Sequence, residues 1–144
     1  MLFPLNEKEN GVFSVPTDLV DIHLNKIRSL AELKVTLFII KHTSGDINKF
    51  KRISINDFIN GICDDEGNLI GKGVGLARQH IIKAIKMAEQ RGTILVHKER
   101  PKEKWYCINT PENRKMIRAL KNKEISLNEL IESQKGISNI FNNK

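Results

Sequence analysis

An α+β fold is what this chain of 144 residues predicts, on three observations. Helix-start patterns recur along it, each a serine or threonine set just before an acid and apolar residues, at Ser29, Ser54, Thr110 and Ser126. Two stretches rich in β-branched and aromatic residues, Thr93 to Lys98 and Trp105 to Asn109, follow one another with a charged turn between them. Hydrophobic residues make up 40% of the chain and charged residues 28%, a globular balance that argues against wholesale disorder and suits one moderate core.

The elements follow in order. Val15-Pro16-Thr17-Asp18 predicts a short helix over about Asp18 to Lys26, capped by Thr17 and carrying Leu19, Ile22 and Ile27. Ser29-Leu30-Ala31-Glu32 reads as a capping box that opens a central helix. In it Leu33, Leu37 and Ile40 share one face and Phe38 the next, and His42 to Asp46 stop it. Lys49 to Ile53 predicts one short extended segment. Ser54-Ile55-Asn56-Asp57 opens a further helix that buries Ile55, Phe58, Ile59 and Ile62 and ends near Gly61. A flexible loop is expected from Cys63 to Gly75, then a helix over Leu76 to Arg91 with Ile81, Ala84, Ile85 and Ala88 on one stripe and Gly92 as its stop. The two strands come next, joined by Glu99 to Lys104. Trp105 and Tyr106 begin the return strand and point to opposite faces, with base stacking by Trp105 as the alternative to core packing. Thr110-Pro111-Glu112 starts a helix with Met116, Ile117 and Leu120, and Ser126 opens a last one with Leu127, Leu130 and Ile131, ending before Gly136.

Three helices followed by a basic-tipped hairpin is the order of a winged helix-turn-helix, a three-helix core plus β-hairpin wing, here with additional C-terminal helices. The division that follows is a flexible N-terminus at 1–12, a winged-helix DNA-binding domain at 13–110, C-terminal helices at 111–136 and a frayed tail at 137–144. Apolar residues in the C-terminal helices exceed what a small core can cover, so they either make a homodimer or partner seam or fold back on the first helix.

Charge points the same way. The net charge is +7, and residues 76–104 alone carry +5, whereas residues 1–75 carry −1. A basic excess confined to one segment is the footprint of a polyanion-binding surface. On the Leu76 to Arg91 helix, Arg78 suits bidentate contact with guanine and Gln79 suits adenine. Lys83, Lys86 and His80 suit phosphates. Arg100, Lys102 and Lys104 occupy the wing, with Pro101 stiffening its tip and Glu99 and Glu103 weakening its field. Lys72 is a loop contact to the backbone.

Val15-Pro16, Leu30-Ala31-Glu32-Leu33-Lys34-Val35-Thr36-Leu37-Phe38, Gly73-Val74-Gly75-Leu76-Ala77-Arg78, Ile81 to Ile85, Arg91-Gly92 and Ile94 carry a resemblance. Over about residues 13 to 120 the chain resembles the N-terminal winged-helix domain of phage and bacterial replication-initiation proteins, the group of DnaD-like primosome proteins and lambda-O-type origin-binding proteins. The resemblance implies origin recognition, recruitment of replication proteins such as a helicase or loader, DNA reading by the helix at Leu76 to Arg91 and support from the hairpin. It assigns those roles to Arg78, Gln79, Lys83, Lys86, Arg100, Lys102 and Lys104. Two departures stand out. Ala77 sits where the family commonly has a capping serine, and the loop before that helix is longer than a tight helix-turn-helix turn. A transcription regulator, or a winged helix serving as a protein-interaction scaffold, are the alternatives.

Other classes find little support. The densest apolar run, Val35 to Ile40, is bounded by lysines and falls short of a membrane span, and the N-terminus lacks a signal-peptide pattern, so a cytoplasmic protein is expected. Cys63 and Cys107 lack CxxC spacing and read as reduced, partly buried thiols without zinc. Gly71-Lys72-Gly73-Val74-Gly75 does not match a phosphate-binding loop, because no Lys is followed by Ser or Thr and no strand leads into it. Asp64, Asp65 and Glu66 lack calcium-loop spacing. His23, His42, His80 and His97 sit at no catalytic spacing, so neither an enzyme nor a cofactor or metal is expected.

Overall fold

Side-chain caps decide where most of the helices begin. The computed structural model describes residues 11–44 and 49–133; most of the expected flexible N-terminus, Gly136 and the expected frayed tail lie outside the described residues. Helix α1 spans Leu30–Thr43, and the Ser29 hydroxyl accepts the Glu32 N–H at 3.2 Å. The expected return bond is not made, because the buried Glu32 carboxylate accepts from the Arg91 guanidinium instead. Past Ile40, where turn residues predict a stop, the Thr43 hydroxyl donates to the Ile39 carbonyl at 2.6 Å and the helix runs on. It is central, burying Val35, Thr36, Phe38, Ile39, Ile40 and His42, while Leu33 and Leu37 are half-buried.

The segment before α1 departs from the expected regular helix. Leu19–His23 forms a π turn and Leu24–Lys26 a 3₁₀ turn. Thr17 and Asp18 are themselves helical, so Thr17 does not cap, and Asp18, which immediately precedes the π turn, makes no side-chain cap bond. Only Leu19 is buried, with Val20, Ile22 and Leu24 exposed, so packing does not enforce a longer α-helix.

Strand β1 is Lys51–Arg52. Helix α2, Ile55–Asn60, has the full capping box: the Ser54 hydroxyl accepts the Asp57 N–H at 3.1 Å and the Asp57 carboxylate accepts the Ser54 N–H at 2.9 Å. The expected loop that follows is in fact a hairpin, β2 (Ile62–Cys63) with β3 (Leu69–Gly71). Its turn is organised by Asp64, whose carboxylate accepts the N–H groups of Glu66 at 3.0 Å and Asn68 at 2.8 Å. Gly67 completes it at φ 85°.

Helix α3 spans Arg78–Arg91, two residues shorter than expected at its start, and ends at Gly92 in the left-handed conformation. Strands β4 (Ile94–Arg100) and β5 (Glu103–Ile108) extend toward each other beyond the expected ends, so Pro101 and Lys102 alone join them. Lys98 pairs with Lys104 and Arg100 with Glu103. Strand β1 pairs antiparallel with β5, giving a three-stranded sheet in the order β1-β5-β4. Helix α4, Pro111–Lys121, starts as predicted, with the Thr110 hydroxyl accepting the Asn113 N–H at 3.1 Å. Residues 127–133 are also helical, after Ser126 accepts the Glu129 N–H at 3.1 Å.

Alternation along β4 and β5 gives the sheet two apolar faces. On one, Ile94 and Tyr106 join Val35, Phe38, Ile39, Phe58, Ile81, Ala84, Ile85 and Ala88 from the helices. On the other, Cys107 joins Phe50, Ile117 and Leu120, with Leu95, Trp105, Met116, Leu127 and Leu130 packed around them. The C-terminal helices thus lie on the far face of the sheet from α1 and α3. Trp105 stacks on Phe50 at 5.0 Å and 19°; that contact occupies its ring and removes the base-stacking alternative. Cys107 is fully buried and Cys63 exposed, so neither thiol is partly buried. Among the described residues no helix is long and apolar enough to cross a membrane.

Candidate nucleic-acid interface

Helix α3 divides cleanly. Ile81, Ala84, Ile85 and Ala88 are buried against the core, and Arg78, Gln79, His80, Lys83 and Lys86 are all exposed. Packing of the apolar stripe therefore fixes the polar face outward. The helix has no side-chain cap at Ala77, which leaves the positive end of its dipole open beside Arg78.

Arg78 also meets the hairpin. The first turn of α3, the start of α2 and the β4–β5 tip enclose a groove of about 470 Å³, lined by Arg78 and Ile82, by Ser54 and Asn56, and by Lys102 and Lys104. Cations more than twenty positions apart in sequence are thereby brought around one cleft. Among the described residues no acid lies within ion-pairing distance of Arg78, Lys83, Lys86, Lys102 or Lys104. The acids of the β4–β5 hairpin are engaged elsewhere: Glu99 sits 2.8 Å from His97, and Glu103 lies 3.5 Å from Arg52 and 4.0 Å from Arg100. The groove cations thus keep a field that the local sequence would suggest is half-cancelled.

The remaining expected residues fall outside the groove. Lys83 and Lys86 lie further along the exposed face of α3, and Arg100 ends β4 with its side chain turned to solvent. Lys72 is exposed between β3 and α3 but does not line the groove.

The glycines around Lys72 serve packing. A Cβ on Gly73 would come within 2.0 Å of the Ile59 carbonyl oxygen, and one on Gly61 within 2.2 Å of the Gly71 carbonyl oxygen. The Val74 N–H donates to the Phe58 carbonyl at 2.8 Å. These contacts lock the β2–β3 hairpin against α2 and set where α3 begins. A strand does lead into this stretch, contrary to the sequence expectation; within it Gly73 faces the Ile59 carbonyl and Gly71 the His42 ring.

Three features of the site were not foreseen. Ile82 lines the groove from the polar side of α3; an isoleucine four residues after Arg78, off the buried stripe, was its signal. Ser54 and Asn56, assigned only to capping, also form a wall. Arg91 anchors the far end of α3 by a two-pronged bond to Glu32, with Nη2 donating at 3.0 Å, and that bond raises the guanidinium pKa further. No local pattern announces a pair separated by 59 positions.

Among the described residues no group of three or more His, Cys, Asp or Glu side chains is placed to hold a metal ion. Comparisons with protein-family models, with curated proteins and with solved structures give no match.

Proposed function

We propose that this chain is a winged-helix protein that binds double-stranded DNA without catalysis, acting from the cytoplasm in the initiation of DNA replication. The order α1-β1-α2-α3-β4-β5 and the sheet order β1-β5-β4 support the winged-helix reading, with the β2–β3 hairpin inserted where a simple helix-turn-helix has a tight turn. One observation carries DNA binding: Arg78 of α3 and Lys102 and Lys104 of the hairpin converge on a single groove and, among the described residues, no acid is paired to them. The replication role, with a helicase or loader as partner, rests on the resemblance in sequence described above.

Arg78 and Gln79 read base edges, Lys83, Lys86 and His80 hold phosphates, and the wing cations clamp the backbone beside the groove. Arg78→Ala and Lys102→Ala test this arrangement by duplex titration at several salt concentrations. Lys102→Ala is expected to weaken all duplexes alike and to lower the salt slope by about 1, whereas Arg78→Ala also relaxes sequence preference. Unchanged affinity in both variants would refute the groove as the DNA contact.

A further inference from the structure

Helix α4 carries a second basic surface that the proposed function does not use. Arg114, Lys115, Arg118 and Lys121 are all exposed, while Ile117 and Leu120 turn inward. At 100° per residue Arg114, Arg118 and Lys121 fall within one narrow stripe, and Lys115 flanks it. The only acid on the helix is Glu112, in its first turn. Among the described residues none of these four cations has an acid within 4.0 Å. The root of the stripe is held in place, because the Arg114 guanidinium donates to the Asn109 Oδ1 at 2.6 Å and Asn109 in turn donates to the Gly92 carbonyl at 2.7 Å.

Position gives this stripe its meaning. Helix α4 packs on the sheet face that holds Cys107 and Trp105, and α3 on the face that holds Ile94 and Tyr106. The two helices that carry the basic surfaces therefore pack on opposite faces of the sheet. From Arg114 to Lys121 the stripe runs about 10 Å along the helix axis, a length over which a duplex presents several phosphates, at one charge per about 1.7 Å of its axis. Unpaired cations in a row of that length complement a phosphate backbone.

The geometry points to α4 as a second duplex-binding surface, so that one molecule bridges two DNA segments. This rests on the reading of α3 as the first DNA contact. The side chains at Arg114, Arg118 and Lys121 grip phosphates and carry no base readout, so the second segment is bound without regard to sequence.

The test is a capture assay with the full chain: one duplex is fixed to beads, a second fluorescent duplex is free, and single-duplex affinity is measured in parallel by anisotropy. The wild-type protein is expected to retain the free duplex on the beads. Arg118→Glu with Lys121→Glu is expected to cut that capture at least tenfold and to leave single-duplex affinity within about threefold, with an unchanged circular dichroism spectrum as the folding control. Wild-type binding of one duplex without capture of the second, or equal capture by the variant, overturns the inference; the latter outcome would assign bridging to self-association. Absence of single-duplex binding by the wild type would instead overturn the reading of α3.

Discussion

His42 sits in an environment far from that of solution. It is buried on α1 against Phe38, with ring centroids 4.6 Å apart, and its Nε2 has no hydrogen-bond partner. Burial first, then Lys51 and Lys41, lower its pKa from 6.5 to about 4, against a smaller opposing effect of Asp57. The unfolded chain takes up this proton near pH 6.5 and the folded chain only near pH 4, so His42 favours the fold above pH 6.5 and that contribution is lost between those values as the pH falls. Thermal melts at pH 7 and pH 4.5 are expected to show a drop in Tm that is smaller in His42→Leu. An equal drop in both proteins would contradict the assignment. Cys107, by contrast, has its thiol pushed up to about 12 by burial alone, which keeps it protonated and inert.

At the scale of elements, the β2–β3 hairpin is the joint between α2 and α3. Gly73 touches the last turn of α2 so closely that a methyl group there would meet the Ile59 carbonyl, part of the backbone. Gly73→Ala is expected to cost about 2 kcal/mol or more in urea unfolding, as overpacking at a rigid contact does. Gly67→Ala, where a Cβ meets no atom within 4 Å and only a φ of 85° resists it, is expected to cost about 1 kcal/mol. Equal losses in the two variants would remove the packing explanation. This joint also marks the limit of what the sequence discloses. Ser54 and Asp57 announce α2 because both partners of the cap lie within one turn, and the apolar stripe of α3 is legible for the same local reason. Asp64 is different: its run of acids reads as solvated loop charge, whereas its carboxylate holds a turn through two backbone bonds. Glu32 looks like a capping partner until Arg91, distant in sequence, claims it. The site divides likewise. The exposed residues of α3 are legible from periodicity, but their meeting with Lys102 and Lys104 depends on the hairpin lying beside α2, which no spacing encodes.

For the whole molecule, the sheet is the organising layer. One face seats α1 and α3 and leaves the cations of α3 to solvent; the other seats Phe50, Trp105 and the C-terminal helices. Burying side chains the size of Phe58, Ile81 and Tyr106 contributes about 1.5–3 kcal/mol each, which makes the orientation of α3 a property of the core. A charge change on its outer face is therefore expected to leave the fold unaltered. That separation makes the central claim directly testable. The measurement is fluorescence anisotropy of a labelled random duplex at low and high salt, with the wild type and with Lys83→Glu plus Lys86→Glu. The account predicts binding that weakens steeply with salt, and at least a tenfold loss of affinity in a variant whose melting curve is unchanged. No binding of duplex DNA by the wild type at low salt, or equal binding by the two proteins, would contradict it.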